Sequence, residues 1–336
     1  MGANRAGSSA YHPGMSDSRA LVLTDGRAGN RAQARALAEA MGLEIVEPTL
    51  ALPAPWRWFA PRALPGGDRW LPALPDGTAI AIGCGRLGAW ATARLHGRVP
   101  TVQVLDPRLD PRRWDVVVAP RHDGLAGDHV VTTLGSLNAI APARLAAAAL
   151  ASPEHAIDAT PRWAVLVGGT TRAQRIDAAY VDSLVARLRE LHAREGGAFL
   201  VTTSRRTGAD AVAALRRGFA GLPARLWTGD ADGPNPYLAF LAHAQRIVVT
   251  PDSVNLASEA CATGKPVYVH AAQPIVGKLA QFHTALVAGG HARALDAFDA
   301  GWGSVPLRET QAVAAEIRRR IRGKQRLPSP ANAGEG

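Results

Sequence analysis

The sequence predicts an α/β protein with two doubly wound, Rossmann-like domains that face a central cleft. Three observations predict this class. Short apolar runs that suit buried strands alternate with segments of helical periodicity in both halves of the chain. Several of these runs end in a glycine-containing turn, where the chain would pass from strand to helix. The length of 336 residues fits two domains of ordinary size.

The first half opens with a strand, a turn and a helix. Arg19–Thr24 is a short apolar run, and Asp25–Asn30 interrupts it with two glycines. The helix that follows has apolar residues at helical spacing, and Asn30 with Gln33 fits a capping box at its start. Further strands are predicted at 43–46, 78–82, 99–105, 116–119 and 130–134, and a helix at about 85–96.

The second half repeats this pattern. Trp163–Val167 is a strand candidate, Gly168–Thr171 breaks it, and a helix with one apolar face follows. The remaining predictions are strands at 199–203, 246–250 and 267–270, a helix from the Asp252–Ser253 turn to about 263, and a last helix at about 310–322.

A segment that is first alanine-rich and then polar, 141–160, contains prolines and separates the two halves. We therefore expect a disordered leader at 1–18, an N-terminal domain at 19–155, a C-terminal domain at 160–310, a helix at 311–323 and a disordered tail at 324–336.

Composition and charge limit the classes of molecule that the protein is expected to bind. The formal net charge is +10, and only Lys265, Lys278 and Lys324 among the 38 basic residues are lysines. These charges are scattered, so no nucleic acid is expected, whereas attraction to phosphate groups or anionic lipids stays open. Cys84 and Cys261 lack metal-ligand spacing, which predicts neither a zinc site nor a disulfide framework. Without a secretion signal or a membrane-spanning run, a cytoplasmic protein is expected, with a peripheral place at the inner membrane left open.

Three turns of the second half could hold phosphate. Gly168, Gly169 and Thr170 follow a strand and offer backbone N–H groups, although such a turn is equally typical of a simple tight bend. Ser204, Arg205 and Arg206 place hydroxyl and guanidinium groups after another strand, with solvated surface arginines as the alternative. Asp252 or Ser253 can cap the next helix, whose first N–H groups would face a pyrophosphate.

Glu259 lies in an apolar stretch of that helix, where a buried carboxylate needs a partner such as two ribose hydroxyls. A helix-surface glutamate is the alternative. In the first half, the turn at Asp25–Asn30 matches the phosphate turns in position. This turn is not a Gly-x-Gly-x-x-Gly fingerprint, and the chain has no Walker loop, which disfavours a dehydrogenase and a P-loop NTPase.

Two further features concern a base and a membrane. His122 with Asp123 could act as a proton acceptor and its orienting carboxylate, or be an exposed loop histidine. Trp56, Trp58 and Phe59 lie among prolines and arginines, a mixture typical of a membrane interface. The alternative is an ordered loop that buries these aromatic rings against the first domain.

Seven motifs of the chain stand out together. They are Thr24–Gln33, Gln103–Asp110, Pro120–Asp123, Thr133–Asn138, Thr202–Arg206, Asn235–Tyr237 and Asp252–Val267. Together they resemble the "elongated mitochondria" fission-factor family and its bacterial relatives, over about residues 19–310. The sequence departs from the family pattern at Pro251, before the Asp-Ser-Val motif, and at Asn255-Leu256, after it.

The resemblance implies a fold like that of the GT-B glycosyltransferases, and the plant members are known as adaptors that bring a dynamin-related protein to mitochondria. The last motif is also similar to the donor-site helix of GT-B enzymes such as the lipid-linked N-acetylglucosaminyltransferase of peptidoglycan synthesis. That similarity implies that Glu259 holds a ribose and that the turns at 168–170 and 252–255 hold a pyrophosphate. It implies an acceptor-side domain at 19–155, whose turn faces the acceptor or a phosphate through Gly26, Arg27, Gly29 and Asn30.

The favoured hypothesis is a glycosyltransferase that uses a nucleotide-sugar and an envelope-associated acceptor. His122 or Asp25 would be the base, and helix N-termini with Arg205 or Arg206 would stabilise the leaving diphosphate without a metal or other cofactor. The alternative is a non-catalytic adaptor that recruits an unknown protein partner to a membrane. Nucleotide-sugar epimerisation ranks last, because we expect it to need a dinucleotide fingerprint.

Overall fold

The computed structural model describes residues 18–62 and 64–325. These residues form two compact units. One comprises the described residues up to Val117 together with those from Arg319 on, and the other runs from Val118 to Arg318. The domain limits expected from the sequence stay a prediction. Almost all of the expected leader, and the tail beyond Gln325, lie outside the described residues.

The first sheet has six strands in the order β2-β1-β3-β4-β5-β6. The pairs that β1 makes with β2 and β3, and that β3 makes with β4, are parallel. Its elements are β1 (Arg19–Thr24), α1 (Ala28–Ala40), β2 (Glu44–Val46), α2 (Trp56–Phe59), β3 (Thr78–Cys84), α3 (Gly85–Leu95), β4 (Thr101–Val104), β5 (Val116–Pro120) and β6 (Val130–Thr133).

The second sheet also has six strands, all parallel, in the order β12-β11-β10-β7-β8-β9. Its strands and the remaining helices are α4 (Pro142–Ala151), β7 (Arg162–Val167), α5 (Ala178–Glu195), β8 (Ala198–Thr203), α6 (Ala209–Gly218), β9 (Ala224–Trp227), α7 (Tyr237–His243), β10 (Arg246–Val249), α8 (Val254–Ala262), β11 (Val267–Val269), α9 (Gly277–Ala288), β12 (Arg293–Ala294) and α10 (Thr310–Gln325).

Continuous burial explains why the strands are apolar rather than alternating. Residues 20–23 of β1 and 163–166 of β7 are fully buried, as is typical of parallel strands covered on both faces. Helix α5 supplies one such cover, because its apolar stripe packs against β7 and β8 in a single cluster. The cluster includes Val181, Leu184, Leu188, Trp163 and Phe199.

In each sheet the strand order reverses direction at one place. The reversal falls between β1 and β3 in the first sheet and between β7 and β10 in the second. Doubly wound sheets bind ligands at such switch points, beyond the carboxyl ends of the strands. The loops that follow these four strands therefore lie where a ligand site is expected.

The predicted α/β class is confirmed, and every predicted strand is present within a few residues. The capping box is wrong: α1 begins at Ala28 after Arg27 without a side-chain cap, and Asn30 lies inside its first turn. The Asn30 amide instead donates to Asp25. Elements that the sequence analysis did not predict are α2, α4, α6, β9, α7, α9 and β12.

Candidate functional site

The switch point of the second sheet is bridged by hydrogen bonds between two loops. The N–H of Gly168 donates to Oγ1 of Thr250 at 2.8 Å, and the N–H of Gly169 donates to Oδ2 of Asp252 at 3.0 Å. Thr250 in turn donates to the other oxygen of Asp252 at 2.6 Å. The Asp252 side chain is fully buried, so its carboxylate occupies the space between the ends of β7 and β10.

The two glycines are needed for this close approach. A Cβ atom on Gly168 would lie 2.2 Å from the carboxylate oxygens of Asp252, and one on Gly169 would lie 2.3 Å from the carbonyl oxygen of Arg206. The backbone can therefore pass these groups only because both residues lack a side chain. Their N–H groups already have acceptors within the chain, so their predicted role in phosphate binding stays a prediction.

The loop after β8 lies beside the same carboxylate. Arg206 approaches Asp252 with 3.8 Å between Nη2 and Oδ2, and its side chain is otherwise exposed. Ser204 is held by Thr207, which accepts from the Ser204 N–H at 3.0 Å and donates to the Gly168 carbonyl at 2.6 Å. The structure thus brings together three of the predicted turns, at 168–170, 204–206 and 252–253.

Helix α8 begins at this place. Ser253, not Asp252, is its cap, and its hydroxyl accepts from the N–H of Leu256 at 3.3 Å. One turn further on, Glu259 accepts a hydrogen bond from the hydroxyl of Tyr237 at 2.5 Å. Burial raises the pKa of Glu259, while the Tyr237 hydroxyl and the charge of Arg144 act in the opposite direction. Glu259 is half-buried, and the partner of this carboxylate inside the chain is a tyrosine, so its predicted contact with a ribose stays a prediction.

His122 follows β5 and is half-buried, with its ring edge on to Phe282 at 5.7 Å between ring centroids. Burial lowers its pKa, which favours the neutral imidazole that a proton acceptor requires. Asp123 accepts from Lys278 at 2.7 Å, so its carboxylate forms an ion pair with that lysine. His122 retains the chemistry of a base, whereas its predicted catalytic role stays a prediction.

The switch point of the first sheet opens into a pocket of about 540 Å³. The loops after β1, β3 and β4 contribute its walls, together with helix α2. Four arginines and two carboxylates are the charged groups of this lining. They are Arg27, Arg57, Arg86, Arg108, Asp25 and Asp106.

Gly85 shapes the floor of this pocket. Its φ of 77° lies in the left-handed region, and a Cβ atom there would lie 2.4 Å from Nδ2 of Asn30. Asp25 can therefore reach across the end of β3, where it accepts from the Asn30 amide at 2.9 Å and from the Arg27 N–H at 3.2 Å. The loop predicted to face an acceptor or a phosphate, Gly26 and Gly29 included, lies beside a real cavity.

The aromatic segment divides its residues between the interior and the surface. Trp56 packs partly buried against the cluster that contains Leu52 and Trp90, and its indole N–H donates to the Pro65 carbonyl. Trp58 and Phe59 are exposed at 66% and 53%, respectively. Any membrane contact of this segment is thus left to Trp58 and Phe59.

The described residues lack two features, a metal-binding cluster and a membrane-spanning helix. No group of three histidine, cysteine or acidic side chains in that part of the chain is arranged to hold a metal ion. Similarly, none of its helices is both long and apolar enough to cross a bilayer.

Two parallel six-stranded sheets with polar loops at their switch points define an α/β protein of GT-B-like fold. The chain belongs to the mitochondrial fission ELM1 family, whose model matches residues 28–321. It is 32% identical over 278 residues to the mitochondrial fission protein ELM1 of Arabidopsis thaliana, an alignment that covers 73% of this chain and 64% of the plant protein.

A bacterial relative is the uncharacterized protein RP120 of Rickettsia prowazekii, 28% identical over 142 residues, which are 42% of this chain and 40% of that protein. The chain therefore aligns with less than two thirds of the length of these two relatives.

Solved structures agree on the fold. The S. aureus MnaA–UDP co-structure has a TM-score of 0.51 at 12% identity, covering 95% of this chain and all of that one. A protein assigned as a UDP-N-acetylglucosamine 2-epimerase of Listeria monocytogenes has a TM-score of 0.54 at 11% identity, covering 92% and 89%. At such identities the likeness concerns the fold alone.

Several residues at the switch points of the two sheets were not predicted from the sequence as site residues. Thr250 and Thr207 are single hydroxyl residues after strands, and only the register of the strand ends identifies them. Tyr237 belongs to a recognised motif but gave no sign of its contact with Glu259. Arg86 follows the end of β3 as Arg205 follows the end of β8, so its position after a strand is the signal that could have identified it.

Proposed function

We propose that this protein binds a nucleotide-sugar at the switch point of its second sheet and transfers the sugar to an envelope-associated acceptor. The observation that carries the proposal is the convergence of the loops at 168–170, 204–206 and 252–253 on one switch point. This is where doubly wound sheets bind nucleotides. The solved structures of similar fold, whose names include UDP and UDP-N-acetylglucosamine, add support at the level of the ligand class.

The groups for a diphosphate are Arg205, Arg206 and the start of α8. Arg205 is exposed and has no hydrogen-bond or ion-pair partner for its side chain within the described residues. A guanidinium and a helix N-terminus both stabilise a leaving diphosphate. Glu259 would bind the ribose after exchanging its bond with Tyr237. His122 is the preferred base, because its lowered pKa keeps it neutral, and Asp25 is the second candidate.

The alternative is an adaptor that recruits a protein partner, and one observation favours it. Gly168, Gly169 and Glu259, which were expected to bind a ligand, already have partners inside the chain. An adaptor that keeps the fold for its surface alone would have such an internally satisfied switch point. The plant relative's name, mitochondrial fission protein, is compatible with this alternative.

Calorimetric titration with UDP, GDP, ADP and their sugar conjugates separates the two functions. We expect one nucleotide to bind, and Glu259→Gln and Arg205→Ala each to weaken it about tenfold or more. Arg217→Ala, which removes an exposed arginine paired with Asp182, is the matched control and should leave binding unchanged. If the folded protein binds none of these compounds, the nucleotide site is refuted and the adaptor remains.

Binding does not by itself establish transfer. Incubation with the bound nucleotide-sugar and a membrane extract should release the nucleoside diphosphate and label a lipid or glycan, and His122→Gln should abolish the release while leaving binding intact. Recovery of an epimerised sugar in place of transfer would identify an epimerase, a reaction that the fold itself does not exclude.

A further inference from the structure

We propose that the pocket at the switch point of the first sheet is a binding site for a phosphate-bearing ligand, with its phosphate held by arginines that the nucleotide site does not use. The pocket is lined by Arg27, Arg57, Arg86 and Arg108. Arg57, Arg86 and Arg108 come from three separate segments, so no single run of sequence indicated this cluster.

The two carboxylates of the pocket do not neutralise it. Asp25 accepts from the N–H of Arg27 at 3.2 Å, and Asp106 accepts from the N–H of Arg108 at 2.8 Å, so each is turned towards its own loop. Their ion pairs with those arginines are long, at 3.6 Å and 3.5 Å. Four cations against two anions leave an excess of positive charge in one cavity.

Two of the arginines are directly available to a ligand. The Arg57 side chain is exposed and has no hydrogen-bond or ion-pair partner within the described residues. Arg86 uses one nitrogen to donate to the Arg57 carbonyl at 3.0 Å, which leaves its remaining N–H groups for other acceptors. Guanidinium groups bind phosphate oxygens in pairs, and the pocket offers more than one such fork.

The N-termini of two helices add to the positive electrostatic potential of the pocket. Helices α1 and α3, of 13 and 11 residues, both begin at the pocket, and neither has a side-chain cap. Their first N–H groups carry partial positive charge. The loop at 105–108 completes the wall, with Leu105 and Arg108 at φ values of 72° and 58°. Non-glycine residues adopt such values rarely and at a cost, as they do around ligand sites.

The pocket borders exposed aromatic rings. Trp58 is part of its lining, and Phe59 is adjacent on α2. Such rings lie at headgroup level in membrane interfaces. The phosphate can therefore belong to a lipid headgroup or to a free phosphate compound, and both present the same anion to the arginines. Phosphate binding in this pocket requires no sugar transfer. Only the role of the bound ligand, for instance as part of an acceptor, rests on the proposed function.

Two binding assays on the full chain test this site. The first is calorimetric titration with inorganic pyrophosphate, and the second is flotation with phosphatidylcholine vesicles that contain or lack phosphatidic acid. Arg27→Ala/Arg57→Ala should weaken binding about tenfold or more in whichever assay detects it. The control pair Arg98→Ala/Arg113→Ala removes two exposed arginines of the same unit outside the pocket and should change it little.

The results of the two assays, compared across the variants, identify the source of the phosphate. Binding to phosphatidic acid vesicles that Trp58→Ala/Phe59→Ala reduces, with pyrophosphate affinity unchanged, identifies a lipid headgroup. Arginine-dependent binding of pyrophosphate without vesicle binding identifies a free phosphate compound. The proposal is overturned if neither probe binds, or if both arginine pairs weaken binding equally. Thermal unfolding checks that each variant folds, and Arg57→Gln replaces the double variant if it does not. Nucleotide titration of the same variants should be unchanged, so the failure of one site is distinguished from that of the other.

Discussion

The hydroxyl of Tyr237 and the carboxylate of Glu259 form a hydrogen bond of 2.5 Å between the first turn of α7 and the middle of α8. Burial raises the pKa of both groups. This pair fixes the side chain on which the nucleotide proposal depends, and its stability can be measured without any ligand.

We expect the stability difference between the wild type and Glu259→Gln to depend on pH. Because the folded pKa of Glu259 is raised, the folded state binds more protons than the unfolded state between that pKa and the ordinary value of 4.5. The wild type should therefore gain stability relative to the variant as pH falls from neutral towards about 4.5. Urea denaturation at several pH values measures this, and a constant difference would contradict it.

Tyr237→Phe removes the donor and leaves the Glu259 carboxylate without it. We expect a loss of about 1–3 kcal/mol in the free energy of unfolding at neutral pH. Glu259→Gln in the Tyr237→Phe background should restore part of this loss, since a neutral amide costs less to bury than a carboxylate. No recovery in the double variant would argue against a buried, charged Glu259.

Gly168→Ala should destabilise the second sheet, because the added Cβ would lie 2.2 Å from the Asp252 carboxylate. Overpacking of this kind costs about 1–3 kcal/mol. Gly303→Ala is the control, since its Cβ would meet no atom within 4 Å. Equal denaturation midpoints for the two variants would show that Asp252 moves away freely.

Glu309 holds the motif at Thr133–Asn138 by accepting from the N–H groups of Leu134 at 2.8 Å and Gly135 at 2.9 Å. Glu309→Ala leaves both donors without this acceptor, which should cost about 2–4 kcal/mol. Glu309→Gln keeps one oxygen and should cost about half as much. Chemical denaturation measures both losses in the free energy of unfolding. Equal losses for the two variants would show that the charge of Glu309, rather than its acceptor oxygens, stabilises the motif.

Lys265 donates to the carbonyls of Leu241 and Ala242 near the end of α7, and burial lowers its pKa to about 8. The unfolded state therefore binds more protons than the folded state between about pH 8 and the ordinary value of 10.5. As pH rises through this range, the free energy of unfolding of the wild type should increase by up to about 3 kcal/mol relative to that of Lys265→Met. Lys278→Met, at an exposed ion pair, is the control for denaturation at each pH.

The strands and the major helices were predictable because their signal is local. A buried parallel strand is a short apolar run, and α5 shows its apolar stripe in the sequence alone. Helix α4 was missed because its alanine-rich sequence, most of it exposed, gives no stripe. Helix α9 has apolar residues on most of its surface, which hides its buried side.

The candidate site was predictable as a set of loops but not as a set of contacts. Gly168, Arg206 and Asp252 each lie in a turn after a strand. Because the strands are parallel, these turns meet at one edge of the sheet, whatever the order of the strands. Strand order then decides that β7 lies beside β10, and periodicity carries no information about order. For the same reason, the arginines of the first-sheet pocket are scattered in the sequence between positions 27 and 108.

The filled space above Gly168 has a consequence for sequence variation. Positions 168 and 252 share one volume, in which the missing side chain of the first is replaced by the carboxylate of the second. A larger residue at 168 fits only with a shorter one at 252, so related chains should vary at these two positions jointly rather than independently.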